Sequence, residues 1–189
     1  MPTALLIVDA QNDFTEGGAL AVAGGARVAA DISEYLAQHQ GDYALVVASR
    51  DWHNPDDSNG GHFADAPDFV DTWPPHCVAG TSGAEYHANL DVSGIAVHVK
   101  KGQGIPAYSA FQGFTDGGET LASVLIDHGI TAVDIVGIAT DHCVRASAVD
   151  AVTEGLAVRV ITRLTVGVAP ESSIAALSEM AKAGATLVA

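Results

Sequence analysis

Val133-Asp-Ile-Val-Gly-Ile138 runs without a break into Ala139-Thr-Asp-His-Cys-Val-Arg145, and that junction decides the fold. The first half is apolar and β-branched, as a buried strand requires. The second half opens Asp141–Glu154, a segment of helical period. Five more apolar runs surround it: Ala4–Val8, Tyr43–Ser49, Gly94–Val99, Ala157–Ile161 and Ala185–Val188. Their nearly continuous hydrophobicity suits parallel strands covered on both faces. Between them lie helical segments at Gly25–Gln38, Glu119–His128 and Glu171–Ala183. This alternation predicts an α/β chain, with a Rossmann-like six-stranded parallel sheet at the centre of three αβα layers. The 189 residues fit one domain, 1–189, with no internal repeat, low-complexity tract or linker.

In open α/β sheets ligands bind beyond the carboxyl ends of the strands. The residues following the first four runs are Asp9, then Asp51 and His53, then Lys100 and Lys101, then Asp141, His142 and Cys143. Carboxylate, imidazole, amine and thiol therefore arrive at one edge. Any one of them alone reads as an ordinary polar strand end.

Cys143 falls in the first turn of a helix, where the positive end of the helix dipole favours thiolate over thiol. Thr140 or Asp141 suits the N-cap, since a short oxygen-bearing side chain accepts the first unpaired helical amides. The same turn offers backbone N–H groups able to hold an oxyanion. His142 is the neighbour of Cys143, but successive helical residues point about 100° apart, so it is a pocket or support residue rather than the base. The better base is Asp9, and Lys101 would lower the thiol pKa and keep Asp9 ionised. Cys77 sits in a Trp-Pro-Pro-His-Cys loop with no helix start and reads as structural.

The segment from Asp51 to Asn89 is rich in Gly, Pro, Asp and His, and a loop of that length inside a compact domain is usually functional. It carries Asp51-Trp-His53, His62-Phe63 and Trp73-Pro-Pro-His76. Residues at i and i+2 past a strand end share a side, so Asp51 and His53 can hold one ion. Nitrogen and oxygen donors without thiolate suit zinc, iron(II) or manganese. The spacing is that of neither a zinc finger nor a His-Glu-x-x-His helix, and surface loops also carry such residues. His39, His87, His98 and His128 have no such company.

A net charge of −15 with only eight Lys and Arg excludes the basic patches that nucleic acids and anionic membranes require. No apolar stretch reaches the 18 or so residues of a membrane span, and the N-terminus lacks a signal peptide's regions. With two cysteines in the chain, free thiols in a reducing cytoplasm are expected rather than a disulfide.

Ile7-Val-Asp-Ala-Gln-Asn-Asp-Phe14, Asp51-Trp-His53, Lys101-Gly102 and Gly137-Ile-Ala-Thr-Asp-His-Cys-Val-Arg145 resemble the isochorismatase-like hydrolase superfamily across the whole chain. Trp73-Pro-Pro-His-Cys-Val-Ala-Gly80 and the histidines narrow the resemblance to nicotinamidase/pyrazinamidase enzymes, mycobacterial members most of all. The resemblance implies Asp9, Lys101 and Cys143 as catalytic triad, with Asp51, His53, His62 and His76 holding one divalent metal (Zn, Fe or Mn). It further implies a cis peptide at Ile138–Ala139, an oxyanion hole from the amides of Ala139 and Cys143, and a pyridine pocket of Phe14, Trp73, Tyr108 and His142. The implied reaction is hydrolysis of nicotinamide to nicotinate and ammonia through a cysteine thioester, with pyrazinamide as second substrate and NAD salvage as role. Three rivals share the scaffold. An isochorismatase would not use the thiol, an N-carbamoyl amidase generally lacks the metal residues, and a non-catalytic binding member would not need the triad.

Overall fold

The computed structural model describes residues 1–189. All six apolar runs become strands of one parallel sheet: β1 (Thr3–Val8), β2 (Leu45–Asp51), β3 (Val97–Lys101), β4 (Ala132–Ile138), β5 (Ala157–Val166) and β6 (Thr186–Val188). Their order is β3-β2-β1-β4-β5-β6. The chain starts mid-sheet, winds outward through β2 to β3, then returns to lay β4 on the free side of β1. Winding reverses between β1 and β4, so the segments leaving their carboxyl ends part and open a crevice there.

Side chains alternate across the pleat and divide the core in two. Ala4, Leu6 and Val8 of β1 face the layer built by α2 (Leu121–Asp127), α3 (Arg145–Thr153) and α4 (Pro170–Ala183). Leu5 and Ile7 face α1 (Gly25–His39), through Val28, Ala29, Ile32 and Leu36. The long segment after β2 completes this second layer with Cys77, Ala84, Leu90 and Ile95. The three-layer expectation holds.

Several boundaries move, for tertiary reasons. β2 and β3 continue past the expected ends at Ser49 and Val99 to include Asp51 and Lys101, which lie opposite each other in register. A polar pair buried together continues a sheet as well as an apolar pair, but an apolar run cannot reveal it. β5 likewise extends past Ile161 to Val166 through Thr162, Arg163 and Thr165. The helix expected from Asp141 begins later. Thr140–Val144 forms a wider turn closed by Val144 N–H to Ala139 O at 3.1 Å, and α3 starts at Arg145. The capping expectation for Thr140 and Asp141 is corrected: extended Ala139 precedes the turn, and no side chain caps it. The Asp141 carboxylate turns instead to the start of α4, accepting from the Val168 amide at 3.0 Å, the Ala169 amide at 3.3 Å and Ser172 Oγ at 2.5 Å.

β1 and β4 meet closely at the crevice. Gly137 adopts φ 123°, and a Cβ there would strike the Val8 carbonyl oxygen, so only glycine fits. The next peptide, Ile138–Ala139, is cis.

Candidate active site

Asp9 leaves β1 with φ 46°, a left-handed turn that Asp tolerates better than bulkier residues and that directs its carboxylate into the crevice. Its Oδ1 accepts from Ser49 Oγ at 2.7 Å. Its Oδ2 lies 2.9 Å from Lys101 Nζ, yet the angle leaves that oxygen with no hydrogen-bond partner. Lys101 is fully buried; its ammonium also contacts Asp51 Oδ1 and donates to Cys143 Sγ at 3.6 Å. Asp9, Asp51 and Cys143 each place an atom within 4.8 Å of the others. One buried ammonium thus stands among two carboxylates and a thiol.

Burial dominates the electrostatics of this group. It raises the Asp9 carboxyl above the ordinary range, with Lys101 opposing. It pushes the Cys143 thiol well above the usual value despite Lys101. At this helix start desolvation opposes the thiolate that the nearby ammonium favours. For Asp51 burial also favours the neutral form, but Lys101 and bonds from His53 and His76 win and hold it well below the carboxylate range. Lys101 is itself held above its ordinary value: burial works against its charge, and Asp51, Asp9 and Cys143 overcome it.

On the far side of Asp51 stand the imidazoles. His53, His62 and His76 are all buried, and each brings a ring nitrogen within 4.8 Å of the others. Asp51 Oδ2 lies 3.6 Å from His53 Nε2 and 3.7 Å from His76 Nε2. The outer nitrogens are occupied: His53 Nδ1 meets Gly102 O at 2.9 Å, and His76 Nδ1 meets Pro74 O at 2.8 Å. Such bonds fix the ring and aim the opposite nitrogen inward, as around a metal. Gly102, at φ 85°, is needed here because a Cβ would lie 2.5 Å from the His53 ring. His53 Nε2 and His62 Nδ1 are buried with no hydrogen-bond partner, a costly state that a cation would relieve. Burial and the neighbouring imidazoles push His62 down to about 4, so near neutral pH it is in the uncharged form that ligates metals. Asp51 thus faces both the ammonium and the imidazoles.

The expected pocket residues gather around this centre. Trp73 and Tyr108 are joined by indole Nε1–H to phenol oxygen at 3.0 Å. His142 packs against both, at ring-centroid distances of 5.4 and 6.3 Å, and Phe14 lies 5.7 Å from His76. Ala139 precedes the wide turn and Cys143 lies within it. Lys100, the alternative to Lys101, points outward to Asp116 at 2.7 Å. Cys77 is fully buried, and burial holds its thiol well above the ordinary value, as expected of a structural cysteine.

Some contributors escaped the sequence reading. Phe63 packs against His53 at 4.9 Å and His76 at 5.3 Å. Asn59, fully buried at φ 50°, accepts from the amides of Asn54 and Gly104 and donates to the carbonyls of Asn54 and Asp57. It ties the His53–His62 loop to the segment following Lys101. Asp13 Oδ2 accepts the Cys77 amide at 2.7 Å and so anchors the His76 loop. Burial marks Asn59, and an Asn in a Gly-rich loop carries no sign of it; Phe63 and Asp13 are only partly buried and are marked by their contacts.

The chain belongs to the isochorismatase domain family, whose model matches residues 3–189. It is 52% identical over 186 residues to the nicotinamidase/pyrazinamidase of Mycobacterium tuberculosis, covering 98% of this chain and 97% of that one. Its structure resembles the zinc complex of Pyrococcus horikoshii pyrazinamidase, with TM-score 0.84, 37% identity and coverage of 100% and 99%. PnC1 from L. infantum, solved with nicotinate, gives TM-score 0.84, 34% identity and coverage of 99% and 92%.

Proposed function

We propose that this protein is a nicotinamidase, hydrolysing nicotinamide to nicotinate and ammonia, and that it also hydrolyses pyrazinamide. The observation that carries this reading is a buried Asp–Lys–Cys group sharing one carboxylate, Asp51, with a buried imidazole cluster. The metal cluster disfavours an N-carbamoyl amidase, and a thiol positioned among charged groups disfavours a binding protein.

The reaction follows from the resting protonation states. Cys143 begins as a thiol and Asp9 Oδ2, the oxygen without a hydrogen bond, takes its proton as Sγ attacks the carboxamide carbon. Lys101 holds charge balance, keeping Asp9 within reach of ionisation in a desolvated site. The amides of Ala139 and Cys143 stabilise the tetrahedral oxygen, each worth about 3–4 kcal/mol in comparable sites. Asp9 returns its proton to the nitrogen, the C–N bond breaks, and ammonia leaves a thioester. Water then attacks with Asp9 as base, the C–S bond breaks, and Cys143 recovers the proton as nicotinate departs. Phe14, Trp73, Tyr108 and His142 exclude water and hold the ring.

Asp51, His53, His62 and His76 would hold a divalent ion of zinc, iron(II) or manganese. When bound, it supplies a coordination position for the pyridine nitrogen and so orients the substrate. Two free thiols fit a reducing compartment such as the cytoplasm, and hydrolysis of nicotinamide would serve its salvage toward NAD. An ammonia-release assay on Cys143→Ala tests the proposal: activity on nicotinamide should vanish while the far-ultraviolet circular dichroism is unchanged. Wild-type turnover in that variant would overturn it.

A further inference from the structure

β1 pairs with β2 only as far as Ile7 opposite Ala48. Beyond that point β1 turns away at Asp9, while β2 continues through Ser49 and Arg50 to Asp51. On its other side Asp51 is paired in register with Lys101 of β3. On the β1 side its backbone would be left without a strand.

Gln11 takes that place. Its Oε1 accepts the Asp51 N–H at 2.8 Å, and its Nε2 donates to the Asp51 carbonyl at 2.9 Å. A primary amide thereby pairs with both backbone groups of one residue, as a neighbouring strand would. The second Nε2 hydrogen reaches Ala84 O at 2.8 Å, which ties the segment after the His76 loop to the same point. Gln11 is fully buried, and every donor and acceptor of its amide has a partner of the opposite kind, so its orientation admits no flip. Asp51 is the residue that faces Lys101 on one side and His53 and His76 on the other.

We infer that Gln11 is a positioning residue for the metal centre, a side-chain surrogate for the missing strand that holds the Asp51 backbone and thereby its carboxylate. The inference rests on the reading of Asp51 as a metal ligand given above. Residues that orient metal ligands typically contribute 10- to 100-fold to metal affinity. No other residue that reaches the Asp51 backbone from the β1 side comes with a matched donor and acceptor pair.

The test is zinc affinity, measured by competition with a chromophoric chelator on metal-stripped protein well below its melting temperature. Gln11→Glu keeps the shape and one acceptor but removes both donated bonds. It should bind zinc about 10- to 100-fold more weakly than wild type while its circular dichroism remains native. Should that variant fail to fold, Gln11→Met, of similar volume and without charge, replaces it with the same expectation. A folded variant with wild-type zinc affinity, even one with a lowered melting temperature, overturns the inference, because Gln11 then serves only the fold. Asp51→Ala separates the two readings. If wild type takes up no zinc, or Asp51→Ala binds it unchanged, the metal reading itself fails. If Asp51→Ala loses zinc and the Gln11 variants do not, only the role of Gln11 fails.

Discussion

Lys100 and Lys101 are adjacent in sequence and opposite in fate. Strand alternation sends one to solvent and one into the core, and a shift of a single residue would exchange them. Lys101 is the one lysine or arginine contacting Asp9 and Asp51, so Lys101→Met leaves two buried carboxylates without their shared ammonium. That substitution should cost about 3–5 kcal/mol in urea unfolding and abolish ammonia release. Lys100→Met removes a pair with the exposed Asp116 and a cation–π contact with Trp52, and should change stability by about 1 kcal/mol at most. Equal effects from the two would contradict the register. The resemblance implied Lys101 through the Lys101-Gly102 motif; the structure supplies the physical reason, since the strand register buries Lys101 opposite Asp51.

At the scale of elements, the turn that carries Cys143 is fastened from outside. Asp141 binds the start of α4 through Val168, Ala169 and Ser172, and also meets His142 Nδ1 at 3.2 Å. Burial works against its charge, but the bonds from His142, Ser172 and Val168 prevail and hold the carboxyl below its ordinary value. A group so depressed stabilises the fold above its unfolded pKa, about 3.9, and that contribution is lost as pH falls toward the folded value. Asp141→Asn should therefore lower stability by about 1–2 kcal/mol at neutral pH, the scale of a lost cap. The deficit should begin to narrow below about pH 4, where the carboxyl of the unfolded wild-type chain protonates and the advantage of the folded carboxylate shrinks. Chemical denaturation of both proteins across pH 3 to 7 measures this, and a deficit independent of pH would refute the electrostatic origin. This fastening was not legible in the sequence, which suggests a cap for the helix Asp141 begins rather than for one that starts at Pro170.

For the molecule as a whole, the proposed ligand set of buried imidazoles and Asp51 predicts that metal binding and folding form a linked equilibrium. The unfolded chain offers no assembled site, so free zinc at 100 times its Kd should raise the unfolding free energy by about 2.7 kcal/mol. Thermal unfolding over a zinc series should show the melting temperature rising with concentration in wild type and staying nearly level in His76→Ala. A parallel rise in both would remove His76 from the ligand set. The large negative charge works in the same direction, since a chain at −15 gains from any cation it binds specifically.

The sequence by itself determined the architecture and named the residues that the fold gathers at one crevice. Apolar runs alternating with helical periods are a local signal, and six of them produced the six observed strands. Asp9, Lys101 and Cys143 were legible because distinct reactive groups following successive strands are conspicuous together, and His53, His62 and His76 because they share one loop with Asp51. Only the tertiary structure decided their state and their support. Burial, a property of the assembled fold, keeps Cys143 a thiol where a helix start alone suggests thiolate. Gln11, Asp13 and Asn59 act by hydrogen bonds to peptide groups distant in sequence. Such bonds depend on which backbones the sheet brings together, and an uncharged amide or a short carboxylate carries no local mark of that.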